Sequence, residues 1–187
     1  MPSLTLRLGG LTKEELLLKL REAEVQLNAY ATEFISDSRF ELSRKCYALD
    51  IEILPLAELG LVEGGTFSQI LESAAAAGLH PCPPEVGPHL RLQWLDQLED
   101  HTVDARAERG APRGSMTVAS KPLTEDDAFP KGLYLRRLHG SLWLRGYRSW
   151  QGHIWSADDV FAFSFSPNPG SRLNAKIGAV EKKTKEE

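Results

Sequence analysis

Cysteine is nearly missing from this chain. Cys46 and Cys82 are the only two among 187 residues, too few for a disulfide framework, so a reduced, cytoplasmic setting is the simpler expectation. Sustained apolar runs are missing as well. Leu16, Leu17 and Leu18 stand together, but Lys13, Glu14, Glu15 and Lys19 surround them, so neither a signal peptide nor a membrane span is expected. No Asn-x-Ser/Thr acceptor and no Gly-Lys dipeptide occurs. The second absence removes the phosphate-binding loop of the nucleotidases, whose lysine must reach the phosphates. The nearest match, 60–66, has no such lysine and places Glu63 where phosphate would be repelled. There is also no positive excess. Twenty-two Lys and Arg face 26 Asp and Glu, for a net charge of −4, so any anion-binding role must come from a local patch.

Secondary-structure signals begin at Thr12. Thr12 with Glu15 forms a capping box. Leu16, Leu20, Ala23, Leu27, Ala31 and Phe34 follow at helical spacing, and this predicts one helix over 13–34. Residues 46–54 alternate, with Tyr47, Leu49, Ile51 and Ile53 on one side of a strand that Pro55 ends. Thr66 with Gln69 forms a second capping box, opening a short helix that Gly78 closes. The proline-rich stretch 80–89 reads as a rigid connection. Leu90, Leu92 and Trp94 then alternate as a strand. A long polar loop is expected over 96–114, small strands over 115–120 and 161–165, and a turn at 125–130. Two early helices and five or six later strands predict an α+β fold, with the helices on one face of a largely antiparallel sheet. Residues 1–166 are expected to form one domain, and 167–187 a mobile polar tail.

The strongest signal is a hairpin over 133–147. Two alternating runs flank the dipeptide His139-Gly140, and a two-residue turn of this kind fixes strand register. Leu135 must oppose Leu144, and Leu133 must oppose Gly146, on a core face. Arg136 must oppose Trp143, and Tyr134 must oppose Arg145, on the other. From Lys131 to Ser156 there is no acidic residue. Guanidinium and aromatic groups interleaved in this way suit an anionic or planar ligand. The candidate binding residues are Tyr134, Arg136, Trp143 and Arg145, with Arg148 and Trp150 at the margin. Single-stranded nucleic acid, a nucleotide and an acidic protein surface are the partners this chemistry admits. A cross-strand cation–π pair between Arg136 and Trp143 that merely stabilises the sheet explains the same residues.

A catalytic signature is harder to find. Gly-x-Ser-x-Gly and His-Glu-x-x-His are both absent. His80, Cys82, Glu85 and His89 are metal-ligating residue types, and a small, metal-assisted hydrolase built on them is the alternative function. Their spacing fits no familiar finger, and neither a metal nor a cofactor is assigned. Cys46 and Cys82 read as structural residues rather than nucleophiles. Asp126 with Asp127, and Asp158 with Asp159, are adjacent in sequence. Neighbours on an extended chain point to opposite sides, so each pair reads as turn chemistry rather than an acid–base dyad.

Several segments together resemble a family of small uncharacterised bacterial proteins. They are 26–31 (QLNAYA), 82–93 (CPPEVGPHLRLQ), 129–137 (FPKGLYLRR), 142–147 (LWLRGY) and 154–159 (IWSADD). The resemblance covers roughly residues 12–165 and implies a bacterial cytoplasmic protein. Members of that family often carry the label helicase. No motor motif occurs in this chain, and the resemblance transfers no functional residue. A non-enzymatic binding module is therefore the expected function.

Overall fold

Alternation of apolar and polar residues builds most of the sheet. The structure, a computed structural model, describes residues 3–99 and 110–165. Its strands are β1 (Ser3–Leu8), β2 (Gln26–Leu27), β3 (Tyr47–Pro55), β4 (Met116–Val118), β5 (Gly132–Leu138), β6 (Ser141–Tyr147) and β7 (Val160–Ser164). They form one seven-stranded sheet in the order β1-β3-β7-β4-β5-β6-β2. The β4–β7 and β2–β6 pairs are parallel and the others antiparallel. The fold is α+β as expected, but the sheet is mixed and larger than five or six strands. The expected tail lies outside the described residues, as does 100–109 of the expected loop.

The apolar stripe predicted for one helix is divided between two. α1 (Lys13–Glu22) opens on the reciprocal Thr12–Glu15 cap, and α2 (Ala29–Ser36) opens on Asn28. Between them Glu24 takes a left-handed φ of 56°. The Val25 amide donates to Leu20 and the Glu24 amide to Arg21, which is the bonding of a Schellman stop. Val25 and Leu20 are both buried, so the stop carries its usual apolar contact. Tertiary pairing wins over helical periodicity here, because 26–27 joins β6 as β2.

The stretch around the prolines also departs from expectation. α4 (Val86–Gln93) replaces both the rigid connection's end and the strand expected at 90–94. Pro88 sits in its first turn, where an amide has no intrahelical acceptor and its loss costs nothing. α3 (Phe67–Ala76) has the predicted Thr66–Gln69 cap.

Helices lie on both faces of the sheet rather than one. Beneath α1, α2 and α4, Leu16, Leu20, Phe34, Ile35, Val86 and Leu90 pack with Leu6, Leu49, Ile51, Leu133, Leu135 and Leu144. On the opposite face Ile70 and Ala74 of α3, with Leu56, Leu79 and Trp155, cover Leu54, Phe161 and Phe163. Gly146 is a point of close approach: a Cβ there would lie 2.5 Å from the Tyr30 carbonyl carbon of α2.

Side-chain amides occupy part of both sheet edges. At β1, the Gln93 amide accepts from the Arg7 N–H at 3.0 Å and donates to the Arg7 carbonyl at 2.8 Å. Beyond β2, the Asn28 amide accepts from the Gly146 N–H at 2.8 Å and donates to its carbonyl at 3.0 Å.

Candidate functional site

The register expected for the hairpin is the one observed. Leu135 opposes Leu144, Leu133 opposes Gly146, Arg136 opposes Trp143 and Tyr134 opposes Arg145. His139 and Gly140 have φ of 51° and 75°, the twist that a two-residue turn needs to match its strands. The Glu99 carboxylate accepts from both turn amides, at 2.5 Å and 2.8 Å. Leu133, Leu135 and Leu144 belong to the aliphatic core, which leaves the guanidinium and aromatic groups on the other side of the sheet.

The stacked cation on that side is Arg145, not Arg136. Its guanidinium lies 5.1 Å from the Trp143 ring centroid. Residues two apart on one strand share a face, so the within-strand pair replaces the expected cross-strand pair. Arg136, Trp143 and Arg145 are all half-buried. Neither Arg136 nor Arg145 forms an ion pair among the described residues.

Sheet order extends the site beyond the hairpin. Thr117 of β4 pairs with Tyr134, which pairs with Arg145, so the three side chains form a row across three strands on one face. Tyr134 is 8 % exposed and Thr117 is 1 % exposed. Burial pushes the Tyr134 phenol pKa up, and the adjacent Arg145 and Arg136 draw it partly back. Thr117 Oγ1 and Arg145 Nε are shielded from solvent and have no hydrogen-bond partner among the described residues. Beside the row is a cavity of about 100 Å³ lined by Thr117, Tyr134, Tyr147, Arg148, Ser149, His153, Trp155 and residues 110–112. The Tyr147 ring is edge-on to Trp155 at 5.4 Å, and Trp155 is edge-on to Phe161 at 5.0 Å. The cavity wall thus continues into the aromatic core.

Of the two marginal candidates, Arg148 lines this cavity, and it also stacks over Tyr30 at 4.4 Å and approaches Glu33 at 3.7 Å. Trp150 is 61 % exposed and lines a separate cleft of about 290 Å³ with Phe67, Leu71, Glu125 and Lys131.

The residues of the alternative function come together only in pairs, His89 with Glu85 and His80 with Cys82 along one cavity. His80 pairs through its backbone with Ser164. Cys82 is buried against the Ala162 carbonyl, and desolvation drives its thiol pKa upward. Glu85 accepts from the Tyr47 hydroxyl at 2.7 Å and from the Ser43 amide at 3.2 Å. His89 Nε2 lies 3.8 Å from Glu85, and burial lowers the imidazole pKa. Among the described residues no three His, Cys, Asp or Glu side chains gather to hold a metal. The aspartate pairs serve turns: Asp126 accepts from Ala128, Asp127 pairs with Lys131, and Asp159 accepts from Ala111 and Ser156.

Thr117, Tyr147, Ser149, His153 and Trp155 line the cavity and are not among the candidates named from sequence. Period-two alternation within 115–120 places Thr117 opposite Met116 and Val118, but nothing local says that β4 lies beside β5. Comparison with known proteins adds nothing to this geometry: no protein-family model, curated protein or solved structure matches the chain.

Proposed function

We propose that the protein is a non-enzymatic binding module whose β5–β6 face takes an anionic ligand that carries a planar ring. The observation that supports this reading most is Arg145 stacked on Trp143, beside Arg136, with no ion pair to either arginine among the described residues. A guanidinium without a carboxylate keeps its charge available to a ligand. The neighbouring indole offers a surface for stacking, and bases stack on such rings regardless of their sequence. Single-stranded nucleic acid and free nucleotides are the ligands with both features, and an acidic protein surface offers only the first.

A titration at low salt with short single-stranded oligonucleotides and mononucleotides tests the proposal. Arg145→Ala is expected to weaken binding and flatten its salt dependence, because a phosphate contact and its released counterion are lost. Trp143→Ala is expected to weaken binding by roughly 1–3 kcal/mol per stacked base with the salt slope retained. If neither ligand class binds at high micromolar concentration, Arg145 and Trp143 are a sheet-stabilising pair and an acidic protein becomes the remaining partner.

A further inference from the structure

Resting on that reading, we infer that the cavity beside Thr117 and Tyr134 is an oxyanion subsite, taking the carboxylate or phosphate end of a small ligand whose ring lies toward Trp143. Size is the first argument. An apolar cavity of about 150 Å³ just holds a benzene ring, and a water occupies about 30 Å³. The cavity here, about 100 Å³, is too small for a nucleobase and large enough for a compact charged group.

Hydrogen-bond capacity is the second argument. Thr117 is almost fully buried, yet its hydroxyl has no partner among the described residues. A buried hydroxyl left in that state is costly, and a ligand oxygen would relieve it. The hydroxyl can rotate to donate, and the Tyr134 phenol beside it is also a donor. Arg148 lines the cavity and brings positive charge to it, 3.7 Å from Glu33, and Arg145, next in the row, adds a charge without an ion-pair partner among the described residues. Arg145 Nε is the second unpartnered buried atom of this row.

Asp159 does not compete for these donors. Its carboxylate, near residue 110, accepts from Ala111 at 3.0 Å and from Ser156 at 2.8 Å. His153 lines the cavity, and burial favours its neutral form. Geometry adds a reach constraint. Trp143 and Tyr134 are diagonal neighbours on adjacent strands, roughly 7–8 Å apart. Thr117 lies one strand beyond Tyr134, so a ligand with an anion there and a ring on Trp143 must span roughly 12 Å.

The test uses benzoate, phenyl phosphate and the neutral benzyl alcohol, titrated into the full chain and read by calorimetry and by the Thr117 methyl resonance. One of the two anions is expected to bind at least tenfold more tightly than the alcohol, and which one wins tells carboxylate from phosphate. Thr117→Val keeps the shape of the residue and is expected to weaken that anion roughly ten- to a hundredfold, the range for a hydrogen bond to a charged group. Tyr134→Phe is expected to act in the same direction with the ring retained. Equal binding of alcohol and anion, or an unchanged Thr117→Val, overturns the subsite. Oligonucleotide binding that depends on Arg145, with no small-anion binding, overturns the subsite and leaves the hairpin face standing. If no anion of any size binds, both fall.

Discussion

The two faces of the sheet are built from different materials. One carries Leu, Ile, Val and Phe beneath three helices, and its hairpin positions are Leu133, Leu135 and Leu144. The other carries Phe161, Phe163 and Trp155 beneath a single helix. Towards β6 its cover gives way to the row Thr117–Tyr134–Arg145. Over the aliphatic face, His89 Nε2 and Arg91 Nε on α4 are buried without a hydrogen-bond partner among the described residues. The aromatic face keeps two buried polar atoms without partners among the described residues. The proposed function assigns stability and recognition to opposite sides of the same strands, and substitutions can separate them.

The largest effect should come from the aliphatic face. Phe34 is fully buried and edge-on to Phe40 at 5.8 Å. Phe34→Ala should cost about 3–5 kcal/mol, and Leu20→Ala about 2–5 kcal/mol, both measured by urea unfolding. An unchanged midpoint in Leu20→Ala would mean that this stripe is open and serves a partner. Gly146→Ala comes next. Its new methyl meets α2 backbone that cannot step aside, and overpacking of this kind costs about 1–3 kcal/mol.

Substitutions on the aromatic face should leave the fold largely alone. Trp143 is half-buried, so Trp143→Ala should shift the melting temperature less than Phe34→Ala while removing ligand stacking. A larger loss of stability than of binding would erase the distinction between the faces. Thr117→Val should even stabilise the unliganded protein, on the order of 1 kcal/mol, because it removes an unpaired buried hydroxyl. A drop in stability would show that this hydroxyl is already satisfied.

The smallest effect concerns pH, and it sorts the faces again. His89 lies under the aliphatic face on α4 and His153 beside the aromatic core, and burial lowers both pKa values below 6.5. The unfolded chain therefore takes up protons that the folded chain refuses. Stability from these groups is present above about pH 6.5 and is lost as pH falls below that value. Replacing each histidine with glutamine in turn, and following urea midpoints from pH 7.5 to 5.5, should flatten part of the slope. A slope unaffected by His89→Gln would place the titration elsewhere.

Local chemistry was legible in the sequence, and non-local pairing was not. The hairpin register followed from two turn residues, and both capping boxes stand where Thr12 and Thr66 put them. β1 carries a plain alternation, Leu4, Leu6 and Leu8 against Thr5 and Arg7, that the expected strands leave out. α4 was hidden by its prolines, since only the first-turn position makes Pro88 harmless. The division at Glu24 depended on β2 finding β6, far along the chain. For the same reason the hairpin half of the candidate site could be named from sequence, while Thr117 awaited the strand order.

The amides of Gln93 and Asn28 have a consequence for behaviour at high concentration. Each imitates a further strand, presenting one acceptor and one donor to a backbone unit that would otherwise face outward. An open edge of that kind is a template on which another chain can add and aggregation can begin. These two side chains act as stoppers at opposite ends of the sheet. Gln93→Ala, which unlike Asn28→Ala removes no helix cap, is expected to leave a protein that stays dispersed when dilute and assembles edge to edge when concentrated.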